Sequence, residues 1–122
     1  ICFWHNWPTA DGTCHRDFIH VEDLVDVHQL ALEYLLDNKG RNLTLNVGTG
    51  RSYSVLELIN TFEKVNNTKV IFEFANRRNG DIPISFASTE ELLKKLNWKP
   101  LRNLEDMCRD GWQWQRNLIE KY

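Results

Sequence analysis

The spacing of apolar residues along the chain predicts an alternation of helices and strands. Its longest pattern covers residues 22–38, where apolar side chains are spread around most of a helix rather than along one stripe. The acids Glu22 and Asp23 stand in the first turn, where the helix dipole favours negative charge, and Gly40 marks the stop. A helix that is apolar on nearly all sides needs cover on more than one side. We therefore expect one of its packing partners to be missing from this chain.

Three further helices are predicted from their start signals and apolar spacing. Ser54 and Glu57 form a capping box before an amphipathic helix. Ser88 and Glu91 form the same pattern ahead of a short helix, and a last helix is expected over residues 104–120. These signals place much of the second half of the chain in helices.

Short strands are predicted between the helices, at residues 18–21, 43–47 and 70–74. In the second of them apolar and polar residues alternate, and the pattern ends at Gly48-Thr49-Gly50. Strands that alternate with helices indicate the α/β class.

Composition narrows the classes of function. The 122 residues suit a single domain, and a hydrophobic share of 42% is enough to form a core. The net charge of −2 and the lack of a lysine-rich run argue against a nucleic-acid partner. No apolar run approaches the roughly 20 residues of a membrane span, and no basic-then-apolar signal peptide opens the chain. We expect neither a membrane nor a nucleic acid among its partners.

The three cysteines, Cys2, Cys14 and Cys108, are widely spaced and form no Cys-x-x-Cys pair. Their odd number and scattered positions favour reduced thiols, so a cytoplasmic location is predicted. The chain opens at Ile1 rather than at a methionine, and we expect it to be a piece of a longer protein.

The densest candidate chemistry is the run Asn-Arg-Arg-Asn-Gly-Asp-Ile-Pro at residues 76–83. Arginine binds phosphate through two parallel charge-assisted hydrogen bonds, so Arg77 and Arg78 suit a phosphorylated ligand. Gly80 can take up positive φ and bring the backbone close to that ligand. Asp81 can accept hydrogen bonds from sugar hydroxyls or orient the arginines. A solvated loop with a local Arg–Asp ion pair is the alternative explanation.

Other groupings favour structural roles. Gly48-x-Gly50 lacks the third glycine of a dinucleotide fingerprint, since Tyr53 stands in its place, and a turn explains the pair better. The four histidines have no metal-ligand spacing. The carboxylates within residues 22–26 are explained as charges at the start of a helix.

Four motifs stand in an informative order along the chain. Residues 16–24 carry Arg-Asp-Phe-Ile-His-Val-x-Asp-Leu. Asn-Val-Gly-Thr-Gly at 46–50, Arg-Arg-x-Gly-Asp at 77–81 and Leu-Asn-Trp at 96–98 follow. In order and spacing they resemble the C-terminal part of the UDP-glucose 4-epimerase family, within the extended short-chain dehydrogenases/reductases. The resemblance runs from Trp7 through the last predicted helix.

The resemblance implies a clamp for a diphosphate and a pocket for a nucleotide. Arg16 and Arg78 would hold the diphosphate of UDP, and two guanidiniums distant in sequence can grip such a group from opposite sides. Asp81 would contact the uridine ribose. Phe3 and Phe18 would line the nucleotide pocket.

The resemblance also implies a residue that sets the sugar preference. Ser85 stands four residues after Asp81, where relatives carry either a bulky tyrosine or a small residue beside the sugar. A small side chain there leaves room for an N-acetyl group. The expected ligands are UDP-glucose and UDP-galactose, with tolerance of their N-acetylated forms.

Two features of the complete family are absent from this sequence. The first is the glycine-rich NAD fingerprint, and the second is the Tyr-x-x-x-Lys pair of the proton chemistry. Tyr34 and Tyr53 are followed four residues later by Asn38 and Glu57, and the chain ends at Tyr122. The isolated chain is therefore expected to be inactive.

Residues 1–122 are accordingly expected to be the C-terminal substrate-binding part of an α/β, Rossmann-type NAD-dependent epimerase, without its N-terminal dinucleotide-binding half. Residues 16–38 would pack on the absent NAD-binding domain, so the isolated chain is expected to self-associate or to form a homodimer. NAD would belong to the parent enzyme, which interconverts UDP-glucose and UDP-galactose through a 4-keto intermediate, and no cofactor is expected on this chain. The alternatives are a related NAD-dependent nucleotide-sugar dehydratase or decarboxylase, and a stand-alone nucleotide-sugar-binding module.

Overall fold

Helices and short strands alternate in the computed structural model, which describes residues 2–4 and 6–120, with side chains described from residue 6 onward. In chain order the elements are β1 Cys2–Trp4, β2 His15–Arg16, α1 Val21–Asp37, β3 Tyr53–Ser54, α2 Val55–Asn66, β4 Glu73–Ala75, α3 Glu90–Leu96 and α4 Leu104–Ile119. Strand β1 pairs with β4 in parallel, and β2 pairs with β3 antiparallel. The predicted α/β class is confirmed.

Helix α1 begins at Val21, one residue before its predicted start, because His20 caps it. Nδ1 of His20 accepts a hydrogen bond from the Glu22 N–H at 3.1 Å. The proton of the neutral ring is therefore on Nε2, which donates to Asp110 Oδ2 on α4 at 3.1 Å. The strand predicted at residues 18–21 is wrong, since this stretch leads into the helix and the paired strand is β2.

One face of α1 is uncovered, as its apolar pattern predicted. Four apolar residues at helical spacing expose between 59% and 67% of their surface. They are Val21, Val25, Leu32 and Leu36. Another side of the same helix buries Val27 against Leu92 and Trp98 in the core cluster. The helix thus has cover on one side and lacks it on another.

The capping box predicted for α2 is confirmed. Ser54 Oγ accepts a hydrogen bond from the Glu57 N–H at 3.0 Å, and the Glu57 carboxylate accepts one from the Ser54 N–H at 2.6 Å. The Ser54 hydroxyl donates in turn to Asp11, whose carboxylate also accepts from the N–H and hydroxyl of Thr13. Burial raises the pKa of Asp11, but these hydrogen bonds outweigh burial and leave that pKa below its ordinary value. The start of α2 is thereby fixed to the turn at residues 7–12.

The capping box predicted at Ser88 is wrong. Helix α3 begins at Glu90, so the cap position falls on Thr89, whose side chain makes no capping hydrogen bond. Helix α4 has the capping box that the sequence analysis overlooked, formed by Asn103 and Asp106. Its span agrees with the predicted one.

The strand predicted at residues 43–47 is also wrong, since this stretch pairs with no strand among the residues that the structure describes. The alternation is real all the same: Leu43, Leu45 and Val47 are half-buried and the residues between them are exposed. The strand predicted at 70–74 is displaced to β4, because pairing with β1 sets its bounds. A strand exists only where a partner satisfies its backbone groups.

Packing joins the helices in two pairs. Helix α1 packs on α3, and α2 packs on α4. In the second pair Phe62 meets Trp112 edge to face, with ring centroids 5.5 Å apart.

A fully buried carboxylate connects α1 to the segment before α4. Asp23 has 0% exposure and accepts hydrogen bonds from the N–H groups of Leu101 and Arg102, both at 3.1 Å. Arg102 Nη1 donates to Asp23 at 2.6 Å and to Asp26 at 3.4 Å, and Nη2 pairs with Glu22. The hydrogen bond to Asp23 raises the pKa of Arg102. The three acids therefore form an ion-pair network as well as carrying charge at the helix start.

We expect Asp23→Ala to lower the free energy of unfolding by about 3 kcal/mol, because it removes the buried acceptor of Arg102 and of two backbone N–H groups. Asp26→Ala is the matched control. Its side chain is 44% exposed and 3.4 Å from the same guanidinium, so its loss should cost about 0.5 kcal/mol. Urea unfolding measures both variants, and equal losses would contradict the role given to Asp23.

Candidate functional site

Arg16 lies at the end of β2, where its backbone pairs with Tyr53 of β3. Its guanidinium Nη1 donates to the carbonyl of His15 at 2.7 Å and to the carbonyl of Ile82 at 3.0 Å. The second bond spans 66 positions of sequence. The structure therefore brings Arg16 to the end of the arginine-rich loop, as a clamp of two arginines requires.

The segment after that loop runs beside β2. The His15 N–H donates to the Pro83 carbonyl at 2.8 Å, and the Ser85 N–H donates to the His15 carbonyl at 3.1 Å. His15 and Ile84 form a parallel bridge. Backbone hydrogen bonds thus fix the C-terminal end of the loop to the strand of Arg16.

Within the loop, Arg78 and Asp81 form an ion pair at 2.9 Å between Nη2 and Oδ1. The Asp81 N–H donates to the Arg78 carbonyl at 3.4 Å, and Gly80 between them has a φ of +90°, the positive φ expected of it. Arg78 is 66% exposed and Asp81 only 15%. A largely covered carboxylate therefore orients an exposed guanidinium. The local Arg–Asp ion pair of the alternative explanation is present, and it leaves Arg78 accessible to a phosphate.

Arg16 and Ser85 line one groove of about 470 Å³. Its other walls come from residues 45–47 and 86–88, with Asp17 beside Arg16. The structure thus places the predicted diphosphate residue and the predicted sugar residue on the same concave surface. Arg78 and Asp81 do not line this groove. Their loop is connected to it by the hydrogen bond from Arg16 to the Ile82 carbonyl.

Of the two predicted aromatic residues, Phe18 lies outside this groove. Phe18 lines a separate apolar groove of about 420 Å³, whose walls include Phe62 of α2 and Met107 of α4. The backbone of Phe3 belongs to β1, opposite Phe74, and its side chain lies outside the described residues. A role for either ring in a nucleotide pocket stays a prediction.

Asp17 is the site residue that the sequence analysis missed. Its carboxylate accepts hydrogen bonds from the N–H and hydroxyl of Thr49, at 2.9 and 2.6 Å, and from the Gly50 N–H at 3.0 Å. It also accepts one from the Ala87 N–H at 3.2 Å. Its place beside Arg16 in the first motif was the available signal. Asp17 holds two walls of the groove together.

The same carboxylate requires glycine at position 48, whereas Gly50 has a positive φ of +74°. A Cβ atom on Gly48 would lie 2.5 Å from Asp17 Oδ2 and 2.7 Å from Ala87 Cβ, so no side chain fits there. The amides of residues 49 and 50 donate to Asp17, and amides so occupied cannot cradle the pyrophosphate of a dinucleotide. These glycines do not fit NAD binding, in agreement with the predicted turn.

The remaining titratable groups of the described residues favour structural roles. Cys14 and Cys108 are buried free thiols, and burial raises the pKa of Cys108, which disfavours a thiolate nucleophile there. No group of three or more histidine, cysteine or acidic side chains from residue 6 to 120 is placed to hold a metal ion. Among the helices described, none has the length and apolarity needed to cross a membrane. The cytoplasmic location stays a prediction.

Comparison with known proteins identifies similar families and relatives. Residues 2–48 match the family described as the NAD dependent epimerase/dehydratase family. The UDP-glucose 4-epimerase of Bacillus subtilis is 45% identical over 98% of this chain, and that of Dictyostelium discoideum is 43% identical over 93%. The chain spans about a third of the length of these relatives, 35% and 33% respectively.

Solved structures with a similar fold are also UDP-glucose 4-epimerases. The crystal structure of the UDP-glucose-4-epimerase from Stenotrophomonas maltophila, with bound NAD and formylated UDP-arabinopyranose, has a TM-score of 0.94 and 46% identity over 100% of this chain and 36% of that one. The enzyme from Bifidobacterium longum, in complex with NAD+ and UDP, has a TM-score of 0.84 and 31% identity over 99% and 36%. In sequence and in fold, the chain is similar to the C-terminal part of UDP-glucose 4-epimerases, as the motifs predicted.

We expect Gly48→Ala to destabilise the chain by about 2 kcal/mol, because the added Cβ would collide with Asp17 and Ala87. Gly111→Ala is the control, and its effect on stability should have the opposite sign. Gly111 lies within α4 and a Cβ there would meet nothing within 4 Å, so the change should stabilise by about 0.5–1 kcal/mol. Thermal unfolding of both variants tests this, and a neutral Gly48→Ala would show that the groove walls are not tightly joined.

Proposed function

We propose that this chain forms the UDP-sugar-binding part of a UDP-glucose 4-epimerase, an isomerase of galactose metabolism that interconverts UDP-glucose and UDP-galactose. The observation that carries the proposal is the bond from Arg16 Nη1 to the Ile82 carbonyl at 3.0 Å. It brings the loop of Arg78 and Asp81 to the strand of Arg16. Two guanidiniums approaching one region suit a diphosphate, which offers oxygen acceptors on both phosphates.

Each site residue has a distinct proposed role. Arg16 and Arg78 bind the diphosphate. Asp81 contacts the uridine ribose while its other interaction, the 2.9 Å ion pair, orients Arg78. Phe3 and Phe18 line the nucleotide pocket. The UDP and the UDP-sugar in the two solved relatives support this class of ligand.

Ser85 is proposed to face the sugar. It is exposed and shares the groove with Arg16, and its N–H is fixed by the His15 carbonyl. A hydroxymethyl side chain at this position leaves space that a phenol ring would fill. We infer that N-acetylated UDP-hexoses are accepted as well as UDP-glucose and UDP-galactose.

NAD in this proposal is held by residues of the parent protein outside this chain. The family name and the NAD-bound relatives support an NAD-dependent parent. The amides of Thr49 and Gly50 are occupied by Asp17, which supports a role of this chain in substrate binding rather than in cofactor binding. The relatives named above are 4-epimerases, which favours this activity over a dehydratase, a decarboxylase or a stand-alone binding module.

The clamp is tested by calorimetric titration of the chain with UDP. Arg16→Ala and Arg78→Ala should each weaken binding about tenfold or more, because each removes charge-assisted hydrogen bonds to phosphate. Arg116→Ala is the control, since it removes the same charge from α4, outside the groove. Folded wild-type chain that does not bind UDP, or arginine variants that bind as well as the control, would overturn the proposal.

The same titration with UDP-N-acetylglucosamine tests the sugar preference. Ser85→Tyr should weaken its binding about tenfold and leave UDP-glucose nearly unchanged, because only the N-acetyl group competes with the added ring. Equal effects on both ligands would contradict the role given to Ser85.

We also propose that residues 16–38 pack on the NAD-binding domain of the parent protein, and that the uncovered face of α1 makes the isolated chain self-associate. Exposed apolar patches of a few hundred Å² mark interaction sites. Leu32→Lys should shift the chain toward monomer in analytical ultracentrifugation. Ile71→Lys, at a residue that is 88% exposed outside α1, is the control. A wild-type chain that stays monomeric at high concentration would contradict this proposal.

A further inference from the structure

The two adjacent arginines of the loop make different contacts. Arg78 pairs with Asp81 inside the loop, whereas the guanidinium carbon of Arg77 lies 4.4 Å from the centroid of the Trp7 ring. A planar guanidinium stacks well on an indole, the aromatic ring that attracts cations most strongly. Arg77 therefore connects the loop to a segment some 70 positions earlier in the chain.

Trp7 is a firmly held partner for this stack. It is 9% exposed, and its backbone N–H donates to the Gly12 carbonyl at 2.9 Å across the turn. The same turn contains Asp11, whose carboxylate accepts from Thr13 and from Ser54 at the start of α2. Arg77 thus rests on a part of the chain that is buried and hydrogen-bonded to a helix.

The loop is also attached to the rest of the chain at its two ends. Strand β4 precedes it, and the Ile82 carbonyl, bonded to Arg16, follows it. Residues 76–80 between them are exposed. Ordering such a loop when a ligand binds costs conformational entropy, and a contact that holds it beforehand reduces that cost.

We propose that Arg77 is a positioning residue that acts through Trp7. Its stack on the indole holds the loop so that Arg78 and Asp81 stay beside Arg16, and Arg77 itself does not bind the phosphates. The inference rests on the proposed UDP site, and it divides the arginine pair into one residue that fixes the loop and one that contacts the ligand.

Hydrogen exchange tests the positioning role without any ligand. The Asp81 N–H, which donates to the Arg78 carbonyl, reports whether the loop keeps its shape. Arg77→Gln should raise its exchange rate roughly three- to tenfold, since a cation–π contact of ordinary strength is lost. Arg51→Gln is the matched control, because it removes another guanidinium from an aromatic ring, that of Tyr53 at 4.6 Å. Unchanged exchange in Arg77→Gln would overturn the proposal.

UDP titration then separates positioning from direct contact. Arg77→Gln and Trp7→Leu should each weaken binding roughly three- to tenfold, and the double variant no further, because both remove one contact. The salt dependence of Arg77→Gln should match that of wild type, a readout that stands even where Trp7→Leu does not fold. Additive losses with a weaker salt dependence would place Arg77 on the phosphates and overturn the inference.

Lack of UDP binding by the wild-type chain would instead count against the proposed function, and hydrogen exchange would still decide the role of Arg77.

Discussion

The carboxylate of Asp17 is the group on which the arrangement of the candidate site depends most. It accepts hydrogen bonds from Thr49, Gly50 and Ala87, so segments 32 to 70 positions away meet at one charge. The N–H groups of Thr49 and Ala87 would lose their partner in a partly buried place if the carboxylate were removed, and such losses are costly. Arg16 is the neighbour of Asp17 in sequence, and Ser85 lies two residues before Ala87. One side chain therefore connects the segments on the two sides of the groove that Arg16 and Ser85 line.

Buried polar contacts elsewhere have the same function of joining distant segments. Asp23 connects α1 to the approach to α4, and His20 connects the start of α1 to Asp110 within α4. Asp11 connects the turn at residues 7–12 to α2. Among the described residues each sheet contains two strands, so the sheets cannot organise the chain as a large sheet would. A chain held together in this way can position a loop at the end of a short strand, which is what the proposed clamp requires.

The resemblance of residues 16–24 and 77–81 to family motifs predicts that Arg16 and Arg78 share one site, and their joint binding of a ligand stays a prediction. The structure brings Arg16 into contact with Ile82, at the end of the loop that contains Arg78. Nothing in the spacing showed that the phenyl ring of Phe18 would turn to the groove of α2 and α4. The place of Asp17 in the first motif was a signal, but its role as an acceptor was not evident because most of its donors are backbone amides, which leave no signature in a sequence.

What the sequence determined by itself was local: the span of α1 and its uncovered face, the capping box of Ser54, and the positive φ of Gly80. These depend on residues within a turn or two, where apolar spacing and side-chain caps act directly. Only the tertiary structure decided which extended stretches became strands, since residues 43–47 alternate correctly and still have no partner in the described chain. It also decided that Gly48 leaves space for the Asp17 carboxylate and that Arg77 stacks on Trp7. Both arise from contacts between segments far apart in the chain, and no local pattern encodes which distant group will arrive.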